Sequence, residues 1–296
     1  MRRAARISKI SPMSAEPIAA ATVVMLRDTA RGPEVLLVRR QQGSGPFSGA
    51  SVFPGGMVDR ADADPELAPP QSGFAPDLAL AAVGRSFSPE LVPSLYVAAC
   101  RELFEEAGIL FARNESGRPV ASDVAVALAA ERVNLRQGAV SLRALLQSAR
   151  LVLALDGLFP LAHWITPEHQ ERRWDTLFLL APAPPGQCER ADGTETSEAV
   201  WLRPADALAA YVRGEHLLAP PTFRVLEEIS PFRSVSEALD RARALGPPPV
   251  IIPVPLDRCS DLTLVLPGDC NYPDSSASAR NRIILHEGRW QSIREP

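Results

Sequence analysis

The chain has 296 residues, 46% hydrophobic and 22% charged, with a formal net charge of −4. That length suits one elaborated domain or a domain with an extension, and the mild acidity excludes nonspecific attraction to nucleic acid or to a membrane surface. Lys9 is the only lysine, so the folded body can hold neither a lysine Schiff base nor a P-loop, and no apolar run reaches the roughly 18 residues that span a bilayer.

Residues 1–16 read as a disordered tail. Their arginines and serines imitate a targeting peptide, but Glu16 and Pro17 interrupt it before any apolar region. Ile18 to Met25 and Val35 to Val38, separated by an Arg-Gly-Pro turn, read as paired strands. A glycine-rich loop follows and ends in Phe53-Pro54-Gly55-Gly56. Between Asp59 and Pro93 the composition shifts to Ala, Pro, Asp and Ser without long periodicity, as expected of a surface insertion. Tyr96, Ala99, Cys100, Leu103, Phe104 and Ala107 then form one stripe at helical spacing, and Gly108 supplies the stop.

Residues 121–155 read as helical, Ala162–Ile165 and Thr176–Leu180 as strands, and Glu195–Leu202 as a segment leading into a helix with Pro204 in its first turn. Thr222 is placed as the cap of the amphipathic segment FRVLEEI. Leu262–Leu266 and Arg282–Leu285 read as strands of a C-terminal appendage. Cys100, Cys188, Cys259 and Cys270 are scattered without a C-x-x-C pair, which indicates a reducing compartment. The reading is cytoplasmic, with organellar targeting by the tail left open. His163, His169, His216 and His286 are equally dispersed and read as surface or packing residues.

The helix around residue 100 breaks two local rules. Glu102, Glu105 and Glu106 stand at i, i+3 and i+4, where each like-charge pair costs roughly 0.2–0.5 kcal/mol, and two of them lie at the negative end of the helix dipole. A solvated acidic face with Arg101 as compensation is one reading. The other is a site for a hard divalent cation, which takes oxygen ligands and removes the repulsion.

Arg101-Glu102-Leu103-Phe104-Glu105-Glu106-Ala107-Gly108-Ile109 resembles the second half of the Nudix hydrolase signature G-x5-E-x7-R-E-U-x-E-E-x-G-U, where U is aliphatic. The first half is split: Gly56 and Arg101 are 45 positions apart where the signature needs 14, so 31 residues are inserted. Asp62 occupies the place of the first glutamate, with Asp59 and Asp64 as rivals. A split box is similar to a Nudix subgroup that includes peroxisomal coenzyme A diphosphatases. The resemblance extends through His163-Trp164-Ile165-Thr166-Pro167 and Arg172-Arg173-Trp174-Asp175-Thr176, over roughly residues 18 to 230. Upstream, Leu36, Leu37, Arg40, Gly49 and Phe53-Pro54-Gly55-Gly56 keep the spacing of the coenzyme A motif. Val38, Gln41 and Gly45 depart from it, the last in place of an arginine.

The resemblance implies an α/β class fold, a Nudix α/β/α sandwich around a mixed sheet, over residues 17–230. The insertion inside the box spans about 62–92, and residues 231–296 form a C-terminal extension with a short β-hairpin. It also implies Mg2+ or Mn2+ held by Glu102, Glu105, Glu106 and the Gly55 carbonyl, with Arg101 holding a glutamate in place. Glu195 is the candidate distal carboxylate, as ligand or base, and Glu198 is second. Arg39, Arg40, Arg172 and Arg173 are candidate phosphate clamps, against a reading as solvated surface charges. The expected activity is metal-dependent hydrolysis of a phosphoanhydride in a small-molecule diphosphate. Coenzyme A esters, nucleotide sugars, dinucleoside polyphosphates and ADP-ribose stay open as substrates, and a homodimer stays open as the assembly. The alternative is a non-hydrolytic Nudix-fold binding or regulatory module, against which the intact glutamate set argues.

Overall fold

A computed structural model describes residues 15–43, 48–256, 261–273 and 275–295. Lys9, Gly45, Cys259 and the tail up to residue 14 lie outside the described residues. In chain order the strands are β1 (Ile18–Thr29), β2 (Gly32–Arg40), β3 (Ser51–Val52), β4 (Gly55–Met57), β5 (Ala112–Asn114), β6 (Leu151–Leu153), β7 (Phe159–Ile165), β8 (Trp174–Pro182), β9 (Thr196–Leu202), β10 (Val250–Ile251), β11 (Val254–Pro255), β12 (Leu262–Val265), β13 (Arg280–His286) and β14 (Arg289–Glu295). The helices are α1 (Pro76–Val83), α2 (Val92–Ala107), α3 (Ser122–Leu128), α4 (Arg132–Arg136), α5 (Leu142–Ser148), α6 (Pro204–Arg213), α7 (Pro220–Ile229) and α8 (Val235–Ala244).

The central sheet runs β10-β7-β8-β1-β2-β3, with β4 also on β1 and β9 also on β2. It is mixed, because β1 pairs with β8 in parallel and with β2 and β4 antiparallel. A central strand covered on both faces needs apolar side chains pointing both ways, which accounts for the unalternating run in β1. Ala21, Val23 and Met25 face the core around α2, and Val24 and Leu26 face the core built by α6, α7 and α8. The sandwich expected from the sequence is therefore present.

Several boundaries move. The stretch 121–155 divides into α3, α4, α5 and the strand β6. Thr222 is a buried residue inside α7, whose N-cap is Ala219, because the helix already starts at Pro220. The insertion is more than a surface excursion: Leu67, Ala79, Val83 and Phe87 are buried in the α2 core, and Phe87 stacks on His163 of β7 at 4.6 Å between ring centroids. Packing also continues past residue 230, since α8 buries Val235, Ala238, Leu239 and Ala242 on the sheet. Beyond it, β11 to β14 form a four-stranded sheet where a hairpin was expected. Among the described residues no helix is long and apolar enough to cross a membrane.

Candidate active site

Helix α2 places its apolar stripe against β1 and β4, and its last turn ends on Gly108 in the left-handed conformation, φ 71°. The acidic side of the helix is not solvated, because Glu105 is 8% and Glu106 4% exposed. Opposite it lies β4. In the antiparallel register Gly55 faces Thr22 between the two ladder bonds made by Pro54 and Val58, so its N–H and C=O both point away from β1. The N–H donates to Glu106 Oε2 at 3.0 Å. A Cβ on Gly56 would stand 2.4 Å from Glu102 Oε1, so any side chain there would displace the Glu102 carboxylate.

Arg101 ties the two halves of the split box. Its guanidinium donates to both oxygens of Asp62 at 2.8 and 2.9 Å, to the Met57 carbonyl at 2.9 Å and to Glu102 at 2.8 Å, and lies 3.5 Å from Glu105. Asp62 is 2% exposed and also accepts from the Asp59 N–H at 2.7 Å. Its rivals go elsewhere: Asp59 caps its own turn, and Asp64 pairs with Arg143 at 3.2 Å.

Two electrostatic groups result. Glu105 lies with Arg101, within the influence of Arg136 and Asp62. Glu106 and Glu102 repel each other as like charges, and Glu195 adds to the repulsion on both. Burial, then Glu102, then Glu195 push the Glu106 carboxyl well above the usual range, against the pull of Gly55 and Arg40. Burial pushes Glu102 up as well; Arg101 opposes that shift, and Glu105 and Glu195 add to it. The backbone at Glu195 lies beside the end of α2, since its neighbour Thr196 bonds the Glu106 carbonyl, whereas Glu198 pairs with Arg39 at 3.4 Å. Arg40 and Arg39 project to opposite faces of β2; Arg40 is close enough for its charge to lower the Glu106 pKa, and Arg39 reaches Glu198 and His216.

Arg172 and Arg173 lie further along the sheet. They precede β8, whose Trp174 pairs with Ile18, while Gly55 pairs with Thr22. That is about 13 Å further along the strand at about 3.3 Å per residue. Arg173 is buried and donates to the carbonyls of Thr166 and Ala15, fastening the β7–β8 connection to the start of β1.

Sequence reasoning missed the supports behind the carboxylates. Buried Arg132 donates to the Glu105 carbonyl at 3.1 and 2.5 Å, and Thr196 Oγ1 to the Glu106 carbonyl at 3.1 Å. These occupy carbonyls that the end of a helix leaves unpaired. Only the breaks between α3, α4 and α5 could have hinted that an arginine there faces inward.

Among the described residues no three acidic, histidine or cysteine side chains close into a metal cage. The donor set nevertheless suits a hard cation. It is all oxygen, it is buried, and its carboxylates repel one another, while Mg2+ is usually held by one or two carboxylates together with water and substrate phosphates.

A carboxylate-bearing helix end set against a Gly-Gly strand in this sandwich is the arrangement of the Nudix hydrolases. A Nudix hydrolase structure from Alicyclobacillus acidocaldarius superposes with a TM-score of 0.60 at 29% identity, covering 76% of this chain and 96% of that one. The family model described as the NUDT19 Nudix domain matches residues 2–229, and the chain belongs to that family of Nudix-type diphosphatases. The acyl-coenzyme A diphosphatase NUDT19 of Homo sapiens is 28% identical over 90% of this chain and 79% of its own length. Its counterpart in Gallus gallus is 30% identical over 81% and 73%.

Proposed function

We propose that the protein hydrolyses the diphosphate of coenzyme A or an acyl-coenzyme A with Mg2+ or Mn2+. The observation that carries this reading is the buried, mutually repelling pair Glu102 and Glu106, with Glu195 adding to the repulsion. The relatives aligned over most of the chain, named acyl-coenzyme A diphosphatases, support the substrate class. Glu102, Glu105, Glu106 and the Gly55 carbonyl would hold the cation, which when bound neutralises diphosphate charge and lowers the pKa of water.

The chain's own residues supply the rest. Water oxygen attacks one phosphorus, the bridging P–O bond breaks, and Glu195 takes the proton released by the water. Arg40, beside Glu106, orients a phosphate oxygen. Arg101 and Asp62 stay out of the chemistry and hold Glu102 and Glu105 in place.

The test is a panel of coenzyme A, acetyl-coenzyme A, dephospho-coenzyme A, ADP-ribose, a nucleotide sugar and diadenosine tetraphosphate, assayed with each metal and with products identified by mass. The expected result is phosphopantetheine or its acyl form together with an adenosine phosphate. Because Gly45 replaces an arginine of the coenzyme A motif, coenzyme A and dephospho-coenzyme A should have kcat/KM values within about tenfold, or about 1.4 kcal/mol. Turnover that is equal in excess chelator would overturn the metal-dependent reading. A hundredfold preference for coenzyme A would show that another residue grips the 3′-phosphate.

A further inference from the structure

The loop before β9 carries Glu195, and like charge works against its position. Glu102 and Glu106 repel an exposed carboxylate, so a loose loop would let Glu195 swing into solvent. The loop is not loose, and the residue that fastens it has no part in the chemistry above.

We propose that Asp192 is a positioning residue that holds Glu195 against the carboxylate pair. The proposal rests on Glu195 being the distal carboxylate of the reaction. The Asp192 side chain is 1% exposed. Its Oδ1 accepts from the backbone N–H groups of Thr194, Glu195 and Thr196 at 3.2, 3.1 and 2.7 Å, and lies 2.8 Å from Thr196 Oγ1, whose single proton is shared between this oxygen and the Glu106 carbonyl. Its Oδ2 accepts from Thr194 Oγ1 and pairs with Arg136 of α4. A simple Asp-Gly turn needs one such bond; here a single carboxylate fixes three successive amides. Arg136 balances its charge, so the loop gains a rigid anchor without adding a free negative charge beside Glu102 and Glu106.

The same loop is tied on two further sides. Gln41 donates from its backbone N–H to the Glu195 carbonyl at 2.8 Å and from its side chain to the Gly193 carbonyl at 3.1 Å. Thr196, held by Asp192, reaches the Glu106 carbonyl. Asp192 therefore sets the backbone of Glu195 relative to the end of α2, and small misplacements of a reacting group are expensive in rate.

The experiment compares wild type, Asp192→Ala, Asp192→Asn, Arg136→Ala, Glu195→Gln and the double variant Asp192→Ala/Glu195→Gln, using acetyl-coenzyme A and ADP-ribose as probes with saturating Mg2+. Asp192→Ala should lower kcat about tenfold with KM within about twofold, and should add nothing in the Glu195→Gln background. Asp192→Asn, which keeps an acceptor for the amides, should recover part of the loss. Hydrogen exchange at the Glu195 and Thr196 amides should accelerate in Asp192→Ala, and this readout needs no turnover. Should Asp192→Ala not fold, Arg136→Ala is read by the same measures. Wild-type kcat, unchanged amide exchange, or an equal loss in the Glu195→Gln background would overturn the proposal. An inactive Glu195→Gln beside a fully active Asp192→Ala sinks this proposal alone, whereas a fully active Glu195→Gln sinks the assignment of Glu195 and this proposal with it.

Discussion

Glu106 in α2 and Asp269 between β12 and β13 are both buried carboxylates, 4% and 0% exposed, yet their surroundings treat them oppositely. Asp269 accepts from the backbone N–H groups of Asn271 and Asn281, each at 2.8 Å, and from Arg282 at 2.8 and 2.7 Å. Burial alone would raise its pKa, but those bonds outweigh it and hold the carboxyl below the usual range. Among the described residues Glu106 receives one bond, from Gly55, so burial, with the like charges of Glu102 and Glu195 added, raises its pKa. Burial by itself thus says little about role. A carboxylate whose acceptor sites are filled is holding structure together, and one left under-compensated among like charges is available to a ligand.

Substitution should separate the two most sharply. Glu106→Gln should lower kcat about a thousandfold, roughly 4 kcal/mol of transition-state stabilisation, with thermal stability unchanged or slightly raised because a like-charge pair is gone. A folded Glu106→Gln retaining near wild-type kcat would break the comparison. Asp269→Asn should do the reverse. It should cost about 3 kcal/mol of stability in urea unfolding by breaking a buried ion pair, with kcat of the folded fraction within about twofold.

A smaller effect is the pH dependence, which runs in opposite directions at the two sites. For Glu106 and Glu102 the folded pKa lies above the ordinary 4.5. Their contribution is fully present below that value and is lost as pH rises into the neutral and mildly alkaline range. For Asp269 the folded pKa lies below the ordinary 3.8, so its contribution is present above that value and is lost as pH falls through and below it. Metal-free wild type should therefore lose melting temperature from mildly acidic to mildly alkaline pH, a slope reduced in Glu106→Gln and kept in Asp269→Asn. The smallest expected signal is a stabilisation by added Mg2+ that grows with pH, because ligands must be deprotonated to bind. Calorimetry showing an equal Mg2+ shift at both ends of that range would count against the carboxylate pair as the binding group.

The acidic helix was legible because its information is local: the apolar stripe, the glycine stop and the clustered glutamates all fall within a dozen residues. Strands β1, β2, β7 and β8 were legible for the same reason. Partnerships between distant segments were not. Asp62 could be placed by counting from Gly56, but its selection over Asp59 and Asp64 needed the reach of Arg101 across 39 positions. Asp192 is followed by Gly193, as in any Asp-Gly turn, and nothing nearby in the sequence marks the distant Arg136 as its partner. The insertion looked like surface because its buried residues are few and scattered: Leu67 comes from one short turn, Ala79 and Val83 from a helix of only eight residues, and Phe87 from the loop after it. Helix α8 escaped notice because its apolar positions are mostly alanines between charged residues.

The clasp between Arg101 and Asp62 also bears on how a chain of this kind can change length. In the unsplit signature the arginine and its acidic partner are eight positions apart, against 39 here. Loop-closure entropy grows only as the logarithm of length, so that stretch costs about 1.4 kcal/mol at roughly 0.6 kcal/mol per doubling. Burying even one side chain such as Phe87 returns about as much or more. The ion pair rejoins the ends wherever the intervening chain wanders, so the catalytic frame is indifferent to what is threaded between its halves. New sequence can enter at this one seam and add its side chains to the shared core around α2 while the clasp keeps the two halves of the site together.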